Sequence, residues 1–308
     1  MEKSFSKIAI VGAGAIGCYY GARLARAGED VRFLMRGDLA AVRERGLRVK
    51  TPDEEIVLPK VSAAATPEEI GPCDLVLVAL KTTANAELAR LAGPLVGGRT
   101  TVVTLQNGLG SDEELARLFG AERVAGGLCF ICVNRVAPGE ITCLEPGSVS
   151  FAEFQRPAGA GARALAAMFS RAGVKAVAGD NLAELRWKKL VWNVPFNGLA
   201  IAAGGVTTDV LTGDAELLAA ARGLMLEIIA ATKAVTGCEI PARFVEKQIE
   251  ATRAMPPYKP SSLIDFLEGR EVEVESIWGE PLRRARAAGV DTPRLAMLYA
   301  LLRRLAAR

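Results

Sequence analysis

Apolar and polar positions change rhythm partway along the chain. Residues 7–36 read KIAIVGAGAIGCYYGARLARAGEDVRFLMR. A short apolar run, KIAIV, ends at a glycine cluster. A helical spacing then runs through Ile16, Tyr20, Leu24 and Ala27, stops at Gly28, and gives way to a second apolar run, VRFLM. Strand, turn, helix and strand in about 30 residues make one βαβ unit. LVLVAL (75–80) and TVVTL (101–105) continue the series, each followed by a helical pattern. Ser111 with Glu114 three residues on has the form of a capping box at the start of SDEELARLF. Strands alternating with helices predict a mostly parallel sheet covered on both faces.

Beyond Gly120 the texture differs. VAGGLCFICVNRV and GEITCLEPGSVSFAEF read as antiparallel strands joined through the turn sequence APGE. A helix at about 159–172 and a strand VKAVA come next. From Asn181 onward the pattern is helical: Asp214–Val235, ARFVEKQIEATRAM, SLIDFLEG, VEVESIWGEPLRRARAAG and PRLAMLYALLRRLAA. The expected fold class is therefore α/β, with domains at 1–180 and 181–308. The first is a Rossmann-type dinucleotide-binding domain, the second an all-helical C-terminal domain.

Composition narrows the function classes. Charges nearly cancel, with 38 basic against 35 acidic residues, and half the chain is hydrophobic. Basic density is local (Arg283, Arg284, Arg286) and reads as a solvated helix face, so nucleic acid is not expected as a partner. The uncharged run Leu190–Thr208 approaches the roughly 20 residues of a membrane span, but its asparagines, proline and glycines favour a buried helix that breaks. No signal-peptide pattern opens the chain, and a soluble cytoplasmic protein is expected. Cys129 and Cys132 form a C-x-x-C inside a strand-like run, without a second pair and in a chain with no histidine. They read as buried thiols, and no metal site is expected.

Gly12, Gly14 and Gly17 form G-x-G-x-x-G after a strand and at the opening of a helix. The first glycine permits the tight turn, the second admits a pyrophosphate to the backbone, and the third packs helix on strand. The N–H groups around Ala15 and Ile16 face the anion. The second strand ends FLMRG, with Arg36 where an acid would bind a ribose 2′-hydroxyl, which predicts NADPH/NADP rather than NAD. Lys81 and Asn107 end two further predicted parallel strands, where open α/β sheets bind ligands.

RWKKLVWNVPFN places Lys189, Asn193 and Asn197 four apart among apolar neighbours, so they form one polar stripe on a helix. Pro195 removes a backbone hydrogen bond and predicts a kink there. A buried lysine has its charged form disfavoured, which suits proton donation to a ketone oxygen as hydride reaches the carbon. Glu271, Glu273 and Glu275 alternate in GREVEVESIWGE. They suit a solvated helix start, and one of them could instead orient Lys189 or accept a hydrogen bond from a substrate hydroxyl.

VGAGAIG, LKTT, QNGLG, ELRWKKLVWNVPFN, KPSSLIDFLEGREVEVESIWG and LRRARAAGV, in this order from about residue 7 to about residue 305, resemble the ketopantoate reductase (2-dehydropantoate 2-reductase) family. The resemblance implies NADPH-dependent reduction of ketopantoate to pantoate, on the route to pantothenate and coenzyme A. It makes Lys189 the catalytic lysine, Glu273 the essential glutamate, and Asn193, Asn197 and Ser262 substrate contacts. Asn107 would lie near nicotinamide and substrate, with Arg36 and Lys81 toward the adenosine phosphate. The stripe would line a cleft between the domains, and a homodimer through the helical half is compatible with the pattern. Trp278 and Lys259 stand where the family usually has asparagine, and are expected to alter pocket volume and polarity. They are what favours an alternative: a related NADPH-dependent reductase of another 2-oxo acid, or an opine-type dehydrogenase.

Overall fold

The computed structural model describes residues 5–307. The chain divides into two compact units, residues up to Gln106 with Ser111–Leu182, and Asn107–Gly110 with Ala183 onward. The first is a mixed α/β sheet unit and the second is helical.

In the first unit the strands are β1 (Lys7–Val11), β2 (Asp30–Leu34), β3 (Leu47–Lys50), β4 (Glu55–Leu58), β5 (Ser62–Ala64), β6 (Cys73–Val78), β7 (Val96–Thr104), β8 (Val124–Ala137), β9 (Glu140–Glu153) and β10 (Lys175–Ala178). They form one sheet in the order β4-β3-β9-β8-β7-β6-β1-β2-β5, with β10 beside β9. The segment β5-β2-β1-β6-β7-β8 is parallel throughout. β8 and β9 are antiparallel, as their turn sequence predicts. The helices of this unit are α1 (Ala15–Arg26), α2 (Leu39–Arg45), α3 (Pro67–Ile70), α4 (Leu88–Ala92), α5 (Ser111–Phe119) and α6 (Ala160–Arg171).

The strands near the glycine motif read as unbroken apolar runs because both faces of the sheet are covered. Successive side chains point to opposite faces, and β1 shows it. Ile8 and Ile10 join one core with Tyr19, Tyr20 and Leu24 of α1 and Phe169 of α6. Ala9 and Val11 join another with Leu88 and Leu91 of α4 and Leu115 of α5. The order reverses between β6 and β1, the switch point outside which open α/β sheets bind ligands.

The helical unit comprises α7 (Leu182–Ala202), α8 (Thr208–Gly213), α9 (Ala215–Thr236), α10 (Arg243–Arg253), α11 (Ser261–Leu267), α12 (Glu280–Ala287) and α13 (Pro293–Ala306). Its core gathers Trp187, Val191, Val194 and Phe196 of α7, Leu224 and Ile228 of α9, Leu263 of α11 and Trp278. The predicted break in the run Leu190–Thr208 comes after Ala202, and α7 continues through Pro195. Burial of the flanking Val191, Val194 and Phe196 offsets the one hydrogen bond that proline removes. The last predicted helical stretch but one starts later than its pattern suggests. Glu275–Gly279 is a π-turn running directly into α12. No helix among the described residues is long and apolar enough to cross a membrane.

Candidate active site

The glycine loop is explained by its own surroundings. Gly12 has φ +99°, and a Cβ there would lie 2.5 Å from the Leu80 backbone nitrogen just past β6. A Cβ on Gly17 would lie 2.2 Å from the Gly12 carbonyl oxygen. Close approach of helix, turn and neighbouring strand therefore requires both glycines. Gly14 differs: a Cβ there would meet no protein atom within 4 Å, so nothing in the fold itself demands glycine. Gly14 is the N-cap of α1, without a side-chain cap, and the first turn carries no acid. A helix N-terminus so bare, opening at the sheet's switch point, fits the pyrophosphate of a dinucleotide over Gly14, Ala15 and Ile16.

Arg36 follows β2 and is exposed. The nearest acid, Asp38, is otherwise engaged: it is buried, pairs with Arg135 at 2.6 Å, and accepts from the Gly139 backbone N–H at 3.3 Å. Lys81 is exposed at the N-cap of the 3₁₀ turn Thr82–Glu87 beyond β6. Past β7 runs a network that local sequence reading missed. Thr104 Oγ1 donates to Gln106 Oε1 at 3.0 Å, Gln106 Nε2 to Asn85 Oδ1 at 2.7 Å, and Asn85 Nδ2 to Ser111 Oγ at 3.2 Å. Asn85, just past LKTT, and Gln106, in QNGLG, were the available signal.

In the helical unit, the stripe on α7 is buried: Lys189, Asn193 and Asn197 are 8%, 7% and 2% exposed. Lys189 Nζ donates to Asn107 Oδ1 at 2.8 Å, across 82 positions of sequence. Asn197 is held at both ends, Nδ2 donating to the Asn193 carbonyl at 3.1 Å and Oδ1 accepting the Ser262 N–H at 3.0 Å. Asn197 thus caps the first turn of α11 and fixes Ser262, which is 2% exposed. The Asn193 side-chain amide and the Ser262 hydroxyl make no hydrogen bond among the described residues. Of the alternating glutamates only Glu273 is buried, whereas Glu271 and Glu275 are exposed. Glu275 accepts from Arg283 and Tyr299 at 2.7 Å each, and these contacts lower its carboxyl pKa against the opposing effect of partial burial.

Residues 8–156 match the family model described as ketopantoate reductase PanE/ApbA, and residues 181–306 match that of its C-terminal part. The chain belongs to the ketopantoate reductase family. A 2-dehydropantoate 2-reductase of Nostoc sp. is 39% identical over 298 residues, covering 95% of this chain and 93% of the relative. The crystal structure of a 2-dehydropantoate 2-reductase from Geobacter metallireducens superposes with a TM-score of 0.94 at 46% identity, covering 97% and 99% of the two chains. A ternary structure of D-mandelate dehydrogenase with NADH and anilino(oxo)acetate has a TM-score of 0.90, covering 97% and 98%. At 23% identity it shares the fold alone. Members of this family are oxidoreductases, and this chain is one.

Two departures from the usual ketopantoate reductase pattern come apart in the structure. Trp278, expected to reshape a pocket, is wholly buried in the core of the helical unit. Its indole N–H donates to the Val194 carbonyl at 2.9 Å. A Cβ on Gly198 would lie 2.8 Å from that indole nitrogen, so the glycine is what admits the ring against α7. Lys259 is exposed, three positions before Ser262 in the segment leading into α11.

Proposed function

We propose that this protein reduces 2-dehydropantoate to pantoate at the expense of NADPH, a step toward pantothenate. The single observation that carries the reading is the buried Lys189–Asn107 pair beside an unpaired amide and hydroxyl, in a chain of this family whose other unit holds the glycine loop. A dihydronicotinamide dinucleotide held over Gly14, Ala15 and Ile16 would supply the hydride for the ketone carbon. As the C=O π bond breaks, negative charge develops on oxygen, and the Lys189 ammonium delivers the proton that makes the hydroxyl. Asn107 orients Lys189 by accepting one of its three N–H bonds. Asn193 and the Ser262 hydroxyl supply the donors that a 2-oxo carboxylate requires, with Asn197 holding Ser262 in place. Glu273, the buried glutamate, accepts from a substrate hydroxyl.

Preference for the 2′-phosphate is supported by Arg36, exposed after β2, and by Asp38, whose carboxylate is committed to Arg135 and Gly139. Lys81 belongs with Arg36 at the adenosine end. Lys259, an exposed cation where the family usually has an amide, favours one second reading, a related reductase of a different or more anionic 2-oxo acid.

NADPH consumption with ketopantoate, beside pyruvate, 2-oxoisovalerate and the Lys189→Ala variant, tests both readings. Ketopantoate is expected to turn over fastest, and Lys189→Ala to lower kcat by about 10²–10⁴-fold, the usual contribution of a positioned acid. Faster turnover of another oxo acid moves the assignment to the second reading. Undiminished turnover in the variant removes Lys189 from the chemistry.

A further inference from the structure

Asp38 is the first acid after β2, about 20 residues beyond the glycine loop, where folds of this kind keep a carboxylate for the ribose 2′-hydroxyl. Here that carboxylate is buried and held by the β8–β9 hairpin. Its Oδ1 accepts from Arg135 Nη1 at 2.6 Å, and its Oδ2 from the Gly139 N–H at 3.3 Å. All three residues belong to the sheet unit.

The register of the hairpin delivers the arginine. Val133 and Ile141 lie in or against the core that contains Cys18 of α1 and Val42 of α2. Arg135 is two residues beyond Val133 and pairs with Ile141, so the pleat carries it along that same side. Pairing then shifts from Arg135 opposite Ile141 to Ala137 opposite Glu140, which makes Val136 an extra residue on β8. A bulge of this kind bends its strand and re-aims the neighbouring side chains. The pair lies beside the glycine loop as well. Cys18 Sγ donates to the Ala13 carbonyl at 3.2 Å, and burial raises that thiol's pKa, with the Asp38 carboxylate adding to the rise and Arg135 opposing it.

Anchoring the hairpin does not require this ion pair. The Arg48 N–H donates to the Gly139 carbonyl at 2.9 Å, and β3 continues in register with β9. A Cβ on Gly139 would lie 3.1 Å from both the Gly46 carbonyl oxygen and the Val42 side chain, so the tip is already tightly seated. The Arg135 side chain is 45% exposed, and an ion pair so open to solvent contributes little to stability. Its consequence is for charge. An uncompensated Asp38 would set a carboxylate two residues from Arg36, against the phosphate that Arg36 is read to receive.

We propose that Arg135 is a cofactor-specificity residue, which by capturing Asp38 withholds the acceptor for a ribose 2′-hydroxyl and cancels the charge that would repel a 2′-phosphate. It is a positioning residue, acting through Asp38, and the proposal rests on the NADPH reading above.

The test is calorimetric titration of the full chain with adenosine 2′,5′-bisphosphate and with 5′-AMP, which differ by the 2′-phosphate alone and need no turnover. In Arg135→Gln the Kd of the bisphosphate should rise about tenfold, the scale of one charge acting near a protein surface, while that of 5′-AMP does not rise. Asp38→Asn should move the ratio of the two Kd values the opposite way, and the double variant should return it to the parent value. An unchanged ratio in Arg135→Gln, whatever its melting temperature, reduces the pair to an anchor and overturns the proposal. A double variant as weak for the bisphosphate as Arg135→Gln overturns the route through Asp38. Should Arg135→Gln not fold, Asp38→Asn decides alone, since it keeps an oxygen acceptor at the site and an unchanged ratio there has the same meaning. A parent protein that binds the bisphosphate no tighter than 5′-AMP removes the NADPH reading instead, a result read without any variant.

Discussion

Glu273 differs from Glu271 and Glu275 in burial and not in chemistry, and burial is what a short alternating run of acids conceals. The run lies where an irregular segment enters a π-turn, so neither a period of two nor one of 3.6 tells which carboxylate turns inward. The stripe on α7 was legible for the opposite reason: a regular helix puts Lys189, Asn193 and Asn197 on one face by spacing alone. Their partners were not legible as partners, because Asn107 and Ser262 reach α7 from 82 and 65 positions away in sequence. Trp278 shows how comparing letters at one position misleads. Its meaning depends on Gly198, which clears space for the ring, and on the Val194 carbonyl, which takes its N–H. Trp278→Phe keeps most of the ring volume and removes the donor. It should cost about 0.5–1.5 kcal/mol of stability by removing one buried hydrogen bond, with the KM for the oxo acid little changed. Chemical unfolding set beside substrate saturation curves would check this. A large change in KM at wild-type stability would restore the tryptophan to the substrate pocket.

Among elements, the β1–turn–α1 unit was the most readable, since each glycine has a distinct physical task and the flanking patterns are strong. Those tasks separate experimentally. Gly17→Ala drives a Cβ to 2.2 Å from the Gly12 oxygen, so it should destabilise the sheet unit by at least about 1–3 kcal/mol, the typical cost of overpacking. Gly14→Ala meets no protein atom within 4 Å and should leave the melting temperature within a degree or two while weakening nucleotide binding. Paired thermal melts and NADPH titrations would show whether the two losses divide this way; a Gly14→Ala protein that melts early would mean the glycine serves the fold. The hairpin β3–β4 escaped reading because each strand is only four residues long, too short a run for its pattern to stand out from a loop. Pro195 was read as a lost hydrogen bond and a kink; α7 continues through it, packed into an apolar core, and the run breaks only beyond Ala202, where a glycine pair stands.

Over the whole molecule the charge balance sets how stability responds to pH. The chain has no histidine, so no side chain with an ordinary pKa between about 5 and 8 titrates in that range. Stability should be nearly level there. The alkaline side is different, because thiols are sealed into the larger core of the sheet unit. Burial pushes Cys18 from 9.0 up to about 12, with the Asp38 carboxylate adding to the shift and Arg135 opposing it. Burial likewise pushes Cys143 to about 11, and raises the Tyr20 hydroxyl well above 10.0. Between pH 9 and 12 the unfolded chain releases these protons while the folded chain retains them, so the unfolded state binds fewer protons and stability falls as pH rises. The loss begins near the unfolded thiol value and levels off only once the folded thiols ionise as well. Unfolding midpoints are therefore expected to be flat from about pH 6 to 8 and to decline steadily from 9 toward 11. Replacing Cys18 and Cys143 together by alanine should lower the midpoint at pH 7.5, through the cavities left, yet make its alkaline decline shallower. A double variant whose profile runs parallel to that of the parent would assign the alkaline loss to the lysines and tyrosines instead.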